Sequence, residues 1–101
     1  MTDKELLELA AKAAGYDFHT WGGGFAIADK NKKYHRWNPL LDDADAFQLM
    51  VKLDFEIRFS YKFVSVSAIG AWEEDSFTSE TKNAVVRKMI TRAAAEIGKG
   101  I

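Results

Sequence analysis

Cysteine is absent from this 101-residue chain, which removes disulfides, cysteine-type zinc fingers, iron–sulfur clusters and thiol catalysis together. No run approaches the roughly 18 apolar residues that a membrane-spanning helix needs. Charge of one sign is lacking as well. Fourteen Lys and Arg against fifteen Asp and Glu give a net charge of −1, so no global field draws the chain to nucleic acid or anionic lipid, and such a partner would need a local patch. Proline occurs once and histidine twice, and neither histidine belongs to a His-x-x-x-His or His-Glu-x-x-His pattern. A metal site is therefore not expected, and His19 and His35 read as exposed polar residues.

What remains is ordinary globular material, 48% hydrophobic and 29% charged, of a length suited to one domain over residues 1–101. Thr2 and Glu5 have the spacing of a capping box that starts a helix at Asp3. Leu6, Leu9, Ala10 and Ala13 recur at helical spacing, widened by Leu7 and Ala14, and Gly15 supplies the stop. An amphipathic helix at this point stands where a signal peptide would place an apolar stretch, so a soluble protein that remains where it is made, in the cytoplasm, is expected.

Three short β-prone runs follow: Asp17 to Trp21, Phe25 to Ala28 and Lys33 to Trp37. Gly22-Gly23-Gly24 and the polar Asp29 to Lys32 separate them. Asn38-Pro39 stops the third run, since proline lacks a ladder donor and restricts its predecessor. Asp42 then caps a helix with Asp43 and Asp45 in its first turn, where carboxylates meet the positive end of the dipole. Ala46, Leu49, Met50 and Leu53 form its dry stripe, extended by Phe47 and Val51, so this helix is expected to be buried on much of its circumference.

Asp54 to Ser60 alternates polar and apolar, the signature of a strand with one wet face. Tyr61-Lys62 turns it into a second run, Phe63 to Ile69, that extends toward Trp72. Glu73-Glu74-Asp75-Ser76 reads as a charged loop. Thr78 or Ser79 caps a last helix, with Val86, Ile90, Ala93, Ala94 and Ile97 on its dry side and Gly98 as its end. The expectation is an α+β layered sandwich in the order α-β-β-(β)-α-β-β-α. Its mostly antiparallel sheet has four or five strands, packed with three helices.

Reaction signatures are missing. No serine sits in a Gly-x-Ser-x-Gly elbow. The aspartates lack calcium-loop spacing and are accounted for as helix-cap groups, and the three glycines precede a strand without the Lys-Ser/Thr of a phosphate loop. No catalytic residue, metal or cofactor is assigned. The one local concentration of basic and aromatic residues is segment 30–37, where Lys30, Lys32, Lys33 and Arg36 interleave with Tyr34 and Trp37, with Trp21 upstream. Trp21, Tyr34, Arg36, Trp37 and Asn38 are the candidate ligand-binding residues.

Three segments carry a family resemblance: Met1 to Gly15, Trp37 to Phe47 and Arg92 to Gly98. They resemble the phage alpha-beta-alpha sandwich family of small bacteriophage and prophage accessory proteins, with phage NinX-like proteins as relatives. Where family members carry Thr-Asp-Asp-Gly-Asp-Ala, this chain has Leu41-Asp42-Asp43-Ala44-Asp45-Ala46, which keeps the carboxylates and loses a hydroxyl and a glycine. The resemblance implies an origin and a fold without a reaction or ligand. It suggests a non-enzymatic protein that binds a host or phage macromolecule, most readily a protein. The alternatives are a sponge for a nucleotide or nucleotide-derived signal, and a weak nucleic-acid-binding protein, the latter disfavoured by the overall charge. Thirteen aromatic residues are compatible with a homodimer interface.

Overall fold

A computed structural model describes residues 1–68 and 70–101. Its first helix, α1 (Asp3–Ala14), begins where the cap pattern places it: the Thr2 hydroxyl accepts the Glu5 amide at 3.1 Å, and the Glu5 carboxylate meets that hydroxyl at 3.2 Å in place of the cap amide. Gly15, at φ 75°, ends the helix in the left-handed region, and the amides of Gly15 and Tyr16 close it onto the carbonyls of Lys12 and Ala11. The dry face is rotated from the expected one. Leu7, Ala10, Ala11 and Ala14 are buried, whereas Leu6, Leu9 and Ala13 are half-covered.

Strands β1 (Phe18–Trp21), β2 (Gly24–Ala28) and β3 (Tyr34–Arg36) form an antiparallel sheet in chain order. Helix α2 (Asp43–Lys52) follows, and then a second antiparallel sheet of β4 (Glu56–Ser60), β5 (Phe63–Ala68) and β6 (Ala71–Ser76), also in chain order. The last element is α3 (Lys82–Lys99). The class is α+β with three helices, but six strands in two three-stranded sheets replace the single sheet of four or five. Each strand pairs only with its chain neighbour, so each triplet closes on itself and α2 intervenes between them.

The additional strand is β6, which covers the residues expected as a charged loop. Ala68 pairs with Ala71, and the chain reverses there with Gly70 at φ 89°, so Trp72 begins a return and does not extend β5. Ile69, expected as the end of the β-rich run that starts at Phe63, lies outside the described residues. Glu73 is tolerated on the inward side of β6 because Arg92 of α3 meets it at 2.8 Å.

Helix α3 is the hub, packed against α1, α2, β5 and β6, and its middle is buried nearly all round through Met89, Ile90, Thr91, Ala93, Ala94 and Ala95. The Thr91 hydroxyl is satisfied within the helix by the Arg87 carbonyl at 2.8 Å. Thr81, not Thr78 or Ser79, precedes the first turn. Its side chain makes no cap bond to the helix and instead engages Thr78. Gly98 does not end α3 either. It is buried at the crossing with α1, where a Cβ would overlap the Leu9 carbonyl oxygen and lie 2.8 Å from its carbon. Ala10, Ala11 and Ala14 on one helix and Ala93 and Ala94 on the other belong to the same core, so small residues let the two backbones approach.

The core joins this helix pair to Phe25 and Trp37 on one side and to Val64, Val66 and Leu49 on the other. Helix α2 contributes only Ala46 and Leu49 as buried residues. Phe47 is 60% exposed and Val51 is also exposed, contrary to a helix buried on much of its circumference. Helix α3 is the element that packs against α2, and the edge of α2 that carries Phe47 and Val51 stays exposed.

Alanine at position 98 restores roughly 1 kcal/mol of helix propensity but must force two backbones apart. Gly98→Ala is therefore expected to destabilise the protein by about 2 kcal/mol net, against roughly 1 kcal/mol for Gly15→Ala at its positive φ. Gly22→Ala, with open space around it, should fall within about 0.5 kcal/mol of the parent. Urea denaturation measures all three. Unchanged stability for Gly98→Ala would mean that the helices do not meet at this point.

Candidate functional site

The stretch from β3 to α2 is held by short-range bonds that the sequence makes available. The Asn38 side-chain oxygen accepts the Leu40 amide at 3.0 Å, and its carbonyl accepts the Leu41 and Asp42 amides. Asp42 caps α2 through the Asp45 amide at 2.9 Å. Asp45 reaches back to accept the Asn38 amide, also at 2.9 Å. Asp43 is held at 2.6 Å by Arg87, whose Nε donates to the Leu40 carbonyl at 3.0 Å. Each of the three aspartates thus has a structural partner, and Asn38 is occupied by the turn.

Trp37 is occupied as well. It is 4% exposed, with Tyr16 edge-on at 5.8 Å and Phe25 tilted against it at 5.8 Å. Two of the five expected ligand-binding residues, Trp37 and Asn38, therefore serve the core and the turn in this structure.

The other three, Trp21, Tyr34 and Arg36, come together on the outer face of the first sheet. Strand pairing sets His19 opposite Ala26 and Ala26 opposite Arg36, Trp21 opposite Gly24, and Ala28 opposite Tyr34. Side chains two apart share a face, so the central strand presents Gly24, Ala26 and Ala28 between larger neighbours. The Trp21 indole lies across Gly24, where a Cβ would stand 2.8 Å from its Cζ2 atom. The Arg36 guanidinium stands 5.8 Å from the Trp21 ring centre. His19, which sequence reasoning set aside, stacks 6.2 Å from Trp21 and meets Tyr34 edge-on at 6.0 Å. Its period-two relation to Trp21 was the available signal.

On the opposite side of β3, a cleft of about 510 Å³ is lined by Tyr16, Asp29, His35, Trp37, Asp45 and Gln48 among others. Its Asp29–His35 contact, 2.7 Å, invites an acid–base reading, but Asp29 also accepts the Asn31 and Lys33 amides at 2.8 and 2.9 Å. The His35 contact, followed by the Lys33 amide, holds the Asp29 carboxyl below the ordinary range. The group locks the β2–β3 turn, in which Lys32 takes φ 62°. Burial raises the Asp45 carboxyl above its ordinary value of 3.8, against the lowering effect of the Asn38 amide, and Asp42 raises it further. Burial and then Asp45 raise the Tyr16 phenol. Among the described residues no three His, Cys, Asp or Glu side chains converge as a metal ligand set.

A second concavity, about 350 Å³, runs between α2, β4 and α3 and is mostly apolar, with Ala46, Met50, Ile57, Val86 and Ile90 along it. Phe47 and Phe59 form its lips, 60% and 53% exposed. Lys82 stands at one end, 4.8 Å above Phe59 and 5.4 Å above Phe77, and makes no ion pair among the described residues. Sequence periodicity counted Phe47 as core because an apolar stripe looks the same whether the protein or a partner covers it.

The raised Asp45 carboxyl has a definite sign. Its proton is bound more tightly in the folded chain, so this group's stabilisation is complete below the unfolded value and is lost as pH rises through the folded one. Asp45→Asn keeps an acceptor for the Asn38 amide and removes the ionisation. Between about pH 3.5 and about pH 7, urea denaturation should show the variant gaining stability relative to the parent as pH rises; parallel curves would refute the burial effect. Comparison of the chain with protein-family models, with curated proteins and with solved structures finds no match.

Proposed function

We propose that this is a non-enzymatic binding protein that docks onto another protein, of host or phage as the family resemblance implies, through the groove between α2, β4 and α3. The observation that carries this reading is the pair of exposed phenylalanines, Phe47 and Phe59, on the lips of an apolar concavity. Leaving two large rings in water is unfavourable by roughly 1.5–3 kcal/mol each relative to burial. An exposed apolar surface of this kind marks an interaction site.

The groove also suggests what fits it. Its length runs along α2, where Val51 continues the exposed edge one turn beyond Phe47, and its floor is aliphatic. An amphipathic helix with apolar residues at i, i+3 or i+4 and i+7 matches that shape. Lys82, a cation resting on two rings without a carboxylate, selects an acidic residue at one end of the incoming segment.

A displayed library of helical peptides tests this directly, selected on the parent protein and counter-selected on Phe47→Glu. The expected peptides carry the apolar spacing with an Asp or Glu at one end, and lose about 30-fold in affinity to Phe47→Glu, the size of an interface hot spot. Lys82→Gln should weaken the acidic peptides by about 3-fold while leaving versions with Asn or Gln at that position unchanged. Selected peptides that bind Phe47→Glu as well as the parent would place the contact elsewhere.

A further inference from the structure

We propose that the outer face of the first sheet is a binding platform for single-stranded nucleic acid, separate from the apolar groove. Three observations converge on it. Trp21 and Tyr34 are 43% and 53% exposed, and with His19 between them they give a row of rings about 6 Å from one to the next. The central strand beneath them carries only Gly24, Ala26 and Ala28 on this face, so nothing tall stands between the edge strands. Positive charge adjoins the rings: Arg36 stands 5.8 Å from the Trp21 ring centre, and the β2–β3 turn next to Tyr34 carries Lys30, Lys32 and Lys33, Lys30 also lining the cleft on the other side; none of the four forms an ion pair among the described residues.

The net charge of −1 conceals this arrangement. Within residues 16–37, Lys30, Lys32, Lys33 and Arg36 oppose Asp17 and Asp29, giving +2, so the rest of the chain holds −3. Asp29 is bound within its own turn by two amides and His35, and Asp17 flanks Ala28 on the side of that strand away from Tyr34. The overall charge that weighed against nucleic acid is thus an average over two unlike regions.

The chemistry favours a strand over a single nucleotide. Exposed rings in a row on an open sheet offer stacking faces to successive bases, and lysines on the adjoining turn follow the backbone phosphates. A mononucleotide would use one ring and one or two cations. A duplex hides its base faces from the rings and would be held by phosphate contacts alone. Arg36, 5.8 Å from the Trp21 ring centre and in no ion pair among the described residues, supplies a cation for a phosphate beside that ring.

The probe is fluorescein-labelled oligothymidylate of about twelve nucleotides, unstacked in solution and within the usual site size of such surfaces. Fluorescence anisotropy at about 50 mM salt should give a Kd of about 10–100 µM, and log Kd should rise with log salt at a slope of about 3, for four phosphate contacts. Lys30→Gln/Lys32→Gln/Lys33→Gln should reduce that slope to about 1. Trp21→Ala should weaken binding about ten-fold, whereas Trp21→Phe, which keeps a ring, should remain within about three-fold of the parent. Arg36→Gln and the lysine triple variant stay informative should Trp21→Ala prove unfolded by circular dichroism. Binding of a duplex or of thymidine monophosphate as tight as that of the strand would overturn the proposal. So would binding unchanged by the ring and cation substitutions, or the lack of a signal up to about 500 µM protein.

Discussion

The approach of α1 to α3 at Gly98 is the constraint on which the rest of the structure depends. Because the Leu9 carbonyl sits where a side chain would stand, the two helices pack backbone to backbone, and alanines line the rest of the contact. That closeness leaves α3 with enough circumference to receive α2 and strands β5 and β6 of the second sheet. The first sheet depends on the same contact, since Phe25 and Trp37 reach the core beside Ala10, Ala11 and Ala14. A thicker seam would separate the two sheets from their common support.

Resting both sheets on helices by one face leaves each with an outward face, and the two outward faces differ in kind. That of the first sheet is aromatic and basic, whereas that of the second mixes Trp72 and Phe63 with Ser65, Ser67, Glu74 and the Glu56–Arg58 ion pair at 2.6 Å. The groove at α2 differs again, being apolar with aromatic lips. A small chain with one core thus exposes surfaces of separate chemistry.

Features encoded within a few residues were legible in the sequence. The Thr2 cap, the Gly15 stop, the Asp42 cap and the Tyr61-Lys62 hairpin turn all rest on local bonds, and all are present. Features that depend on a distant partner were not. Glu73 and Asp75 look like loop residues until Arg92 is placed opposite Glu73. Gly98 gives the same signal as a helix stop or as a crossing point, and only Leu9 distinguishes them. In the candidate site, the concentration of basic and aromatic residues that singles out Trp21, Tyr34, Arg36 and Trp37 is local and legible, while the burial of Trp37 depends on Tyr16 and Phe25 from other elements. The exposure of Phe47 depends on what fails to cover it, which no spacing records.

The strands pair with their immediate chain neighbours, whereas the helix pair at the centre joins the first element to the last, across an interval of roughly 70 residues. During synthesis the two processes are therefore separated in time. Each sheet has all its strands as soon as its third has left the ribosome, at about 5–20 residues per second. Helix α1 has no α3 to cover Leu7, Ala10, Ala11 and Ala14 until all the elements between them have been made. Helix α1 thus waits longer for its partner than any strand does, and the small side chains that permit the close crossing also keep the apolar area exposed during that wait low.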